Sequence, residues 1–171
     1  MSDIPETVGF AVMTVSDTRD ETSDRTGPWL REQIEAENHA VIDHAIIADD
    51  IEAIRAQIRS WLGDGRIHAI ITTGGTGLTG RDVTPEAVRP LFDKELDGFA
   101  VVFHQVSYRS VGVSTIQSRA LAGIADGTYI FAIPGSMGGC KDAWNHVLRD
   151  EFDRSHRPCN LVELIPRLKE V

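Results

Sequence analysis

Residues 72 to 86 read TTGGTGLTGRDVTPE, and the reading of this stretch decides the rest of the chain. It holds a literal G-x-G-x-x-G at Gly75, Gly77 and Gly80. A dinucleotide fingerprint makes three demands. It follows the opening strand of a βαβ unit, it starts a helix among its own glycines, and an acid lies about 20 residues on, at the end of the next strand. None of these holds here. The loop follows the third expected strand, IHAIITT (Ile67 to Thr73). The clearest helix start, Thr84-Pro85-Glu86, lies beyond the last glycine. There Thr84 can accept from free N–H groups, Pro85 suits the first helical position and Glu86 complements the helix dipole. Asp97, near the required distance, precedes an expected helix. A P-loop is excluded because no Gly-Lys-Ser/Thr follows, and neither H-E-x-x-H nor G-x-S-x-G occurs.

Outward from the loop, the pattern is strand and helix in alternation. VGFAVMTV (Val8 to Val15) is a nearly continuous apolar run, as expected of a strand buried on both faces of a parallel sheet. A polar loop from Ser16 to Gly27 leads to a helix with Pro28 in its first turn and Trp29, Leu30 and Ile34 on its stripe. Val41 to Ile47 is a second strand, with Asp49 and Asp50 just past its end. Ile51, Ile54, Ile58, Trp61 and Leu62 share one helical face, and Gly63 and Gly65 end that helix. Phe99, Val102, Phe103 and Val106 are spaced for a further helix face. Ser118 to Ala125 fits helix or strand. Tyr129 to Ile133 is a strand running into Pro134-Gly135-Ser136, and the last helix carries Trp144, Leu148 and Phe152. From about residue 154 the chain has no period, with Pro158 and Pro166 against a long helix. These elements imply one domain over residues 1–171, a three-layer α/β/α fold with a mostly parallel sheet. In such folds ligands sit beyond the carboxyl ends of strands. Loops beginning at Ser16, Asp49, Gly74 and Pro134 meet that description.

The totals narrow the classes. With 171 residues and a net charge of −9, the chain lacks the basic surplus that phosphate backbones require, so no nucleic-acid partner is expected. No apolar run is long enough for a membrane span, and the acidic start, Met1 to Glu6, is unlike a signal peptide. Two cysteines, Cys140 and Cys159, with no C-x-x-C, suit reduced thiols in the cytoplasm. The six histidines and three tryptophans read as surface or packing residues.

What remains at the strand end is Gly74-Gly75-Thr76-Gly77, a run whose backbone can turn successive N–H groups inward as an anion nest, with the Thr76 hydroxyl as a further donor. Asp82 then stands out. A carboxylate beside a phosphate nest repels the phosphate unless a cation lies between them, and Mg²⁺ takes carboxylate and phosphate oxygens together. A tight turn with Asp82 at a helix start explains the same spacing, and the residues alone leave both open. Arg119 suits a phosphate contact or a structural ion pair equally well, and the acids of residues 17–24 suit a solvated loop.

The longer stretch TTGGTGLTGRDVTPEAV resembles the glycine signature of the molybdenum cofactor biosynthesis proteins of the MoaB/MogA family. The resemblance extends to TVSDTR (Thr14 to Arg19), PLFDKELDGF (Pro90 to Phe99), STIQSRALAG (Ser114 to Gly123) and IFAIPGS (Ile130 to Ser136). RPCN (Arg157 to Asn160) is similar to the tail of the MoaB branch. The resemblance implies a molybdopterin-binding domain. Its implied reaction is adenylyl transfer from ATP, with Mg²⁺, to the terminal phosphate of molybdopterin. A separate molybdate-insertion protein would act next, and homotrimers or homohexamers are implied. Carried over residue by residue, it makes Asp82 and Asp49 the catalytic and metal-holding acids, with Asp50 competing for the second place. Ser107 matches a pterin-side serine, and Ser16, Gly74, Gly75, Thr76, Gly77, Gly135 and Ser136 match substrate-binding loops. Met137-Gly138-Gly139 departs from the family where a proline is frequent. Competence varies within the MoaB branch, so a non-catalytic molybdopterin-binding protein is the alternative. A nicotinamide-dependent oxidoreductase is the weaker third reading.

Overall fold

The computed structural model describes residues 4–170, so residues 1–3 of the acidic start lie outside the description. Strand β1 (Gly9–Val15) is buried at every position. Phe10 and Val12 point into one core, and Ala11, Met13 and Val15 into another. Strands β3 (Ala69–Thr73) and β6 (Thr128–Ile133) divide in the same way, Ile71 and Phe131 on the first side, Ile70 and Ile130 on the second. A strand covered on both faces has no polar face to present, which explains the unbroken apolar runs. Helices α1 (Thr26–Ala36), α4 (Asp97–Val111) and α5 (Met137–Ala143) cover the first face through Leu30, Ile34, Phe99, Phe103 and Ala143. Helices α2 (Ile51–Leu62) and α3 (Thr84–Val88) cover the second through Ile54, Ile58, Trp61 and Val88. The result is the expected three layers.

With β2 (Ala40–Ile47), β4 (Lys94–Glu95) and β5 (Leu121–Ala125), the sheet has six strands in the order β2-β1-β3-β6-β5-β4. The first four run parallel, and β5 lies antiparallel to both β6 and β4. The chain leaves β1 toward one side to make β2, then crosses back to make β3 on the other. The carboxyl ends of β1 and β3 therefore diverge into a crevice, the usual ligand position in open α/β sheets.

Several local readings are settled. The ambiguous segment from Ser118 becomes β5 from Leu121 onward. On α4, Phe99 and Phe103 are buried and Val106 packs partly against the core, but Val102 stays 43% exposed, so the expected face is narrower than its spacing suggested. The last helix is not continuous: α5 passes into a π-helical turn over Trp144–Leu148 and then a short helical turn over Arg149–Glu151. Trp144, Leu148 and Phe152 are nevertheless all buried. Beyond residue 154 the chain forms a 3-10 turn over Val162–Arg167. Both cysteines are free, Cys140 buried and Cys159 exposed. Among the described residues, no helix is long and apolar enough to cross a membrane.

Candidate functional site

A cleft of about 570 Å³ opens where β1, β2, β3 and β6 end. Ser16, Asp49, Gly74, Gly75, Thr76, Gly77, Asp82, Ser107, Gly135 and Ser136 all line it, so the fold brings every candidate residue to one place.

The glycine wall is built by fastening its carbonyls from behind. Gly74 O accepts the Thr84 hydroxyl at 2.8 Å, and Gly75 O accepts the Thr84 amide at 3.0 Å. Thr76 O accepts the Arg119 amide at 2.8 Å, and Gly77 O accepts Arg119 Nε at 2.8 Å. In a trans peptide the N–H points opposite to the C=O of the same unit. Tying four successive carbonyls rearward therefore turns the following amides toward the cleft. Neither the Gly75 nor the Thr76 amide donates to a backbone carbonyl among the described residues. The run also needs glycine: Gly74 has φ 109° and Gly75 has φ 67°. A Cβ at Gly75 would land on the Thr84 hydroxyl, and one at Gly74 on the Val15 carbonyl. Thr84 thus corrects the sequence expectation. Val83 holds the N-cap position of α3, and Thr84 donates backward to the loop instead of accepting from the helix.

Asp82 lines the same wall. Its Oδ2 accepts the Thr79 amide at 2.9 Å and the Thr79 hydroxyl at 2.7 Å. Burial works against the charge, but these bonds, the Gly77 amide and the Arg119 guanidinium outweigh it and hold the carboxyl below its usual range. Asp49 and Asp50 have opposite fates. Asp50 Oδ1 accepts from Ala53 N at 2.8 Å and caps α2, while Asp49 lines the cleft. Asp49 exchanges bonds with the loop after β1: Asp17 N donates to Asp49 Oδ2 at 2.9 Å, and Asp49 N donates to Asp17 Oδ1 at 3.0 Å. Arg81 crosses the mouth to Asp17 Oδ2 with Nε at 2.7 Å. The Asp49 carboxyl is raised, first by burial and then by the Asp17 charge, with Asp82 adding to the repulsion. Two cleft carboxylates that repel one another make a place short of positive charge. Among the described residues no three His, Cys, Asp or Glu side chains gather as a metal cluster. Mg²⁺ needs fewer, since it is commonly held by one or two carboxylates plus substrate phosphates. The donor set fits that pattern.

The facing wall, Pro134 to Gly139, is fastened similarly. Thr73 Oγ1 donates to Pro134 O at 2.9 Å, and Arg19 NH2 donates to Gly135 O at 3.1 Å. Ser136 Oγ accepts the Gly139 amide at 3.1 Å. Arg19 also bonds Thr26 and lies 3.7 Å from the buried Asp24. Arg119 resolves as a buttress: besides Gly77 O it donates to Asp82 O at 2.8 Å and pairs with Glu86. The sequence reading missed Arg19, Arg81 and Asp142, which also line the cleft. Arg19 ends the quoted TVSDTR and Arg81 precedes Asp82, so their motifs were in view; Asp142 sits in no motif.

Comparison with known proteins gives the chain a family and its fold solved neighbours. The family model described as "Probable molybdopterin binding domain" matches residues 11–154. The chain is 45% identical over 161 residues to Molybdenum cofactor biosynthesis protein B of Escherichia coli (strain K12), covering 94% of this chain and 93% of that protein. It is 49% identical over 149 residues to the protein of the same name from Staphylococcus epidermidis, covering 85% of each. A crystal structure of Molybdenum cofactor biosynthesis protein B superposes with a TM-score of 0.86 at 34% identity, covering 96% of this chain and 97% of that one. Tungsten cofactor synthesizing protein MoaB from Pyrococcus furiosus superposes with a TM-score of 0.73 at 36% identity, covering 86% and 93%.

Proposed function

The chain belongs to the molybdopterin-binding domain family of molybdenum cofactor biosynthesis proteins, and from that premise we propose that it transfers AMP from Mg-ATP to the terminal phosphate of molybdopterin. The observation that carries the reading is the glycine wall: four carbonyls tied rearward leave donors beside two carboxylates in one cleft. Amides of Gly75 and Thr76 bind phosphate oxygens, with the Thr76 hydroxyl as a further donor, while the Gly77 amide serves Asp82. Asp49 and Asp82 would hold Mg²⁺, which when bound neutralises polyphosphate charge. The molybdopterin phosphate oxygen attacks the α-phosphorus of ATP, the bond to the bridging oxygen breaks, and pyrophosphate leaves. The protein supplies alignment and electrostatics, and no side-chain nucleophile is needed. Consistent with this, Cys140, packed behind the Pro134 loop, is buried and its thiol is pushed up to about 11 by that burial.

The test is a reconstituted assay with purified protein, molybdopterin, ATP and Mg²⁺, run on wild type and Asp82→Asn. Turnover should fall by roughly 100-fold or more, the scale of losing one preorganised electrostatic group, while molybdopterin binding persists. Unchanged turnover removes Asp82 from the metal site. One observation favours the non-catalytic alternative: Asp82 Oδ2 is already taken by Thr79. Calorimetry separates the two, because molybdopterin binding without Mg-ATP binding selects the carrier.

The product would pass to a molybdate-insertion protein, and a reaction drawing on ATP suits the cytoplasm. Exposed Val101, Tyr108, Val111, Val113 and Ile116, on α4 and the 3-10 turn after it, support association of copies as a homotrimer or homohexamer. Sedimentation of the purified chain decides between them.

A further inference from the structure

The cleft holds a third carboxylate that the adenylyl-transfer reading does not use. Asp142, on α5, lines the cleft and is only 9% exposed. Its Oδ1 accepts Ser110 Oγ, from α4, at 2.9 Å. Its Oδ2 has no hydrogen-bond partner among the described residues, and the group forms no ion pair there. Ser107, one turn before Ser110 on α4, lines the same side of the cleft and is itself buried.

A carboxylate that faces a cleft with one hydroxyl as its only protein partner has acceptor capacity left for donors on a ligand. An ionised carboxylate only accepts, and its two oxygens suit two parallel N–H groups on a planar partner, as they suit the fork of a guanidinium. A pterin presents that pattern. Its 2-amino group and N3–H lie side by side on one edge of the ring. Adenine does not: its 6-amino group is flanked by ring nitrogens carrying lone pairs, so one carboxylate oxygen would face an acceptor. The 2-amino-4-oxopyrimidine edge is shared with guanine, and the test must separate the two sources.

We propose that Asp142 is a specificity-determining residue that accepts the 2-amino and N3–H groups of the pterin ring, with Ser110 fixing the plane of its carboxylate. The proposal rests on the molybdopterin reading above and deepens it. It assigns the ring to the α4–α5 side of the cleft and the phosphates to the glycine wall. Ser110 is a positioning residue, acting through Asp142.

The experiment compares 6-hydroxymethylpterin with 6-hydroxymethyllumazine, in which a carbonyl replaces the 2-amino group, using fluorescence titration of wild type, Asp142→Asn and Ser110→Ala. Hydrogen bonds to a charged group are worth about 1.5–3 kcal/mol, so wild type should favour the pterin by about 10- to 100-fold. Asp142→Asn should abolish that preference while binding Mg-ATP as wild type does, and Ser110→Ala should weaken the preference by several-fold. The wild-type comparison needs no variant, so misfolding of Asp142→Asn leaves a decisive result. Equal wild-type affinity for pterin and lumazine, with Mg-ATP bound normally, overturns the proposal and leaves the adenylyl-transfer reading standing. Failure of wild type to bind molybdopterin at all overturns both. Guanosine triphosphate binding that depends on Asp142, together with pterin binding that does not, also overturns it by making the edge a guanine site.

Discussion

The sheet is finished in opposite ways at its two ends, the amino end of β1 and the carboxyl end of β3. At its amino end the chain uses up donors: Val8 N donates to His39 Nδ1 at 3.4 Å, and Gly9 N donates to His68 Nδ1 at 2.8 Å. Both rings are half-buried, and burial pushes both imidazoles below their ordinary range. At the carboxyl end the chain uses up acceptors instead. Thr84 and Arg119 take the carbonyls of Gly74 through Gly77, and the Gly75 and Thr76 amides have no backbone acceptor among the described residues. The same sheet is closed at one end and open at the other, and the difference lies in which half of each peptide is satisfied internally. Changes at the carboxyl end should therefore alter binding, and changes at the amino end should alter stability alone.

The strongest way to break that contrast is Arg119→Ala. It frees Gly77 O and Asp82 O and leaves Glu86 without its partner. Losing hydrogen bonds from a charged donor should lower stability by about 2–3 kcal/mol. AMP transfer should fall by roughly 100-fold, because the phosphate donors lose their fixed orientation. Arg119→Lys should not restore it, since an ammonium cannot reproduce the guanidinium fork. Urea unfolding beside the transfer assay checks both, and a variant that loses stability but keeps full activity would show that the carbonyl ties do not orient the loop.

Next in size is Gly75→Ala. The residue has φ 67°, and its Cβ would land on the Thr84 hydroxyl, one of the rearward ties. The strain is of order 1–3 kcal/mol. It falls on the loop, so transfer should drop by roughly ten-fold with a smaller change in melting temperature. Normal phosphate affinity in this variant would mean that the Gly75 conformation is incidental.

At the amino end the expectation concerns pH. His39 and His68 each accept through Nδ1, so protonation breaks the bond that fastens β1. Their folded pKa values lie below the unfolded value of about 6.5, so the unfolded chain takes up protons first. Their contribution is complete above that pH and is lost as the pH falls through it toward the folded values. Thermal melts from pH 7.5 to 5.5 should show the decline, and His68→Gln should flatten it without affecting transfer at pH 7.5. An equal slope in wild type and variant would assign the pH sensitivity to other groups.

The sequence made the sheet legible because burial on both faces leaves unbroken apolar runs such as Val8 to Val15, and because the loops that close the cleft carry glycine and Pro-Gly-Ser signals. Arg119 was ambiguous for a physical reason. Besides Glu86 its partners are backbone carbonyls 42 and 37 residues away, and a carbonyl carries no mark of residue type. Asp142 was invisible likewise, since its partner Ser110 lies 32 residues off on another helix. Thr84 was read as an acceptor because a hydroxyl before Pro-Glu commonly caps a helix; the carbonyl of Gly74, ten residues back, claimed its proton instead. The break into a π-helical turn at Trp144 left no trace in an i, i+4 pattern that the buried side chains still obey.

Asp49 and Asp50 give the finest version of the contrast, because adjacent acids fall on its two sides. Asp50 serves the helix: its bond to Ala53 N satisfies one of the free donors of α2, and Asp50→Ala should cost about 1 kcal/mol of stability, the usual value of such a cap. It should leave AMP transfer and Mg-ATP affinity as they are. Asp49 serves the cleft, where burial and the charges of Asp17 and Asp82 disfavour its ionised form. Asp49→Asn removes that repulsion, so the fold should keep or slightly gain stability while transfer and Mg²⁺ dependence fall. Measured side by side, the two variants should exchange phenotypes completely. Loss of transfer in Asp50→Ala, with Asp49→Asn fully active, would move the site by one residue and turn the cap into the ligand.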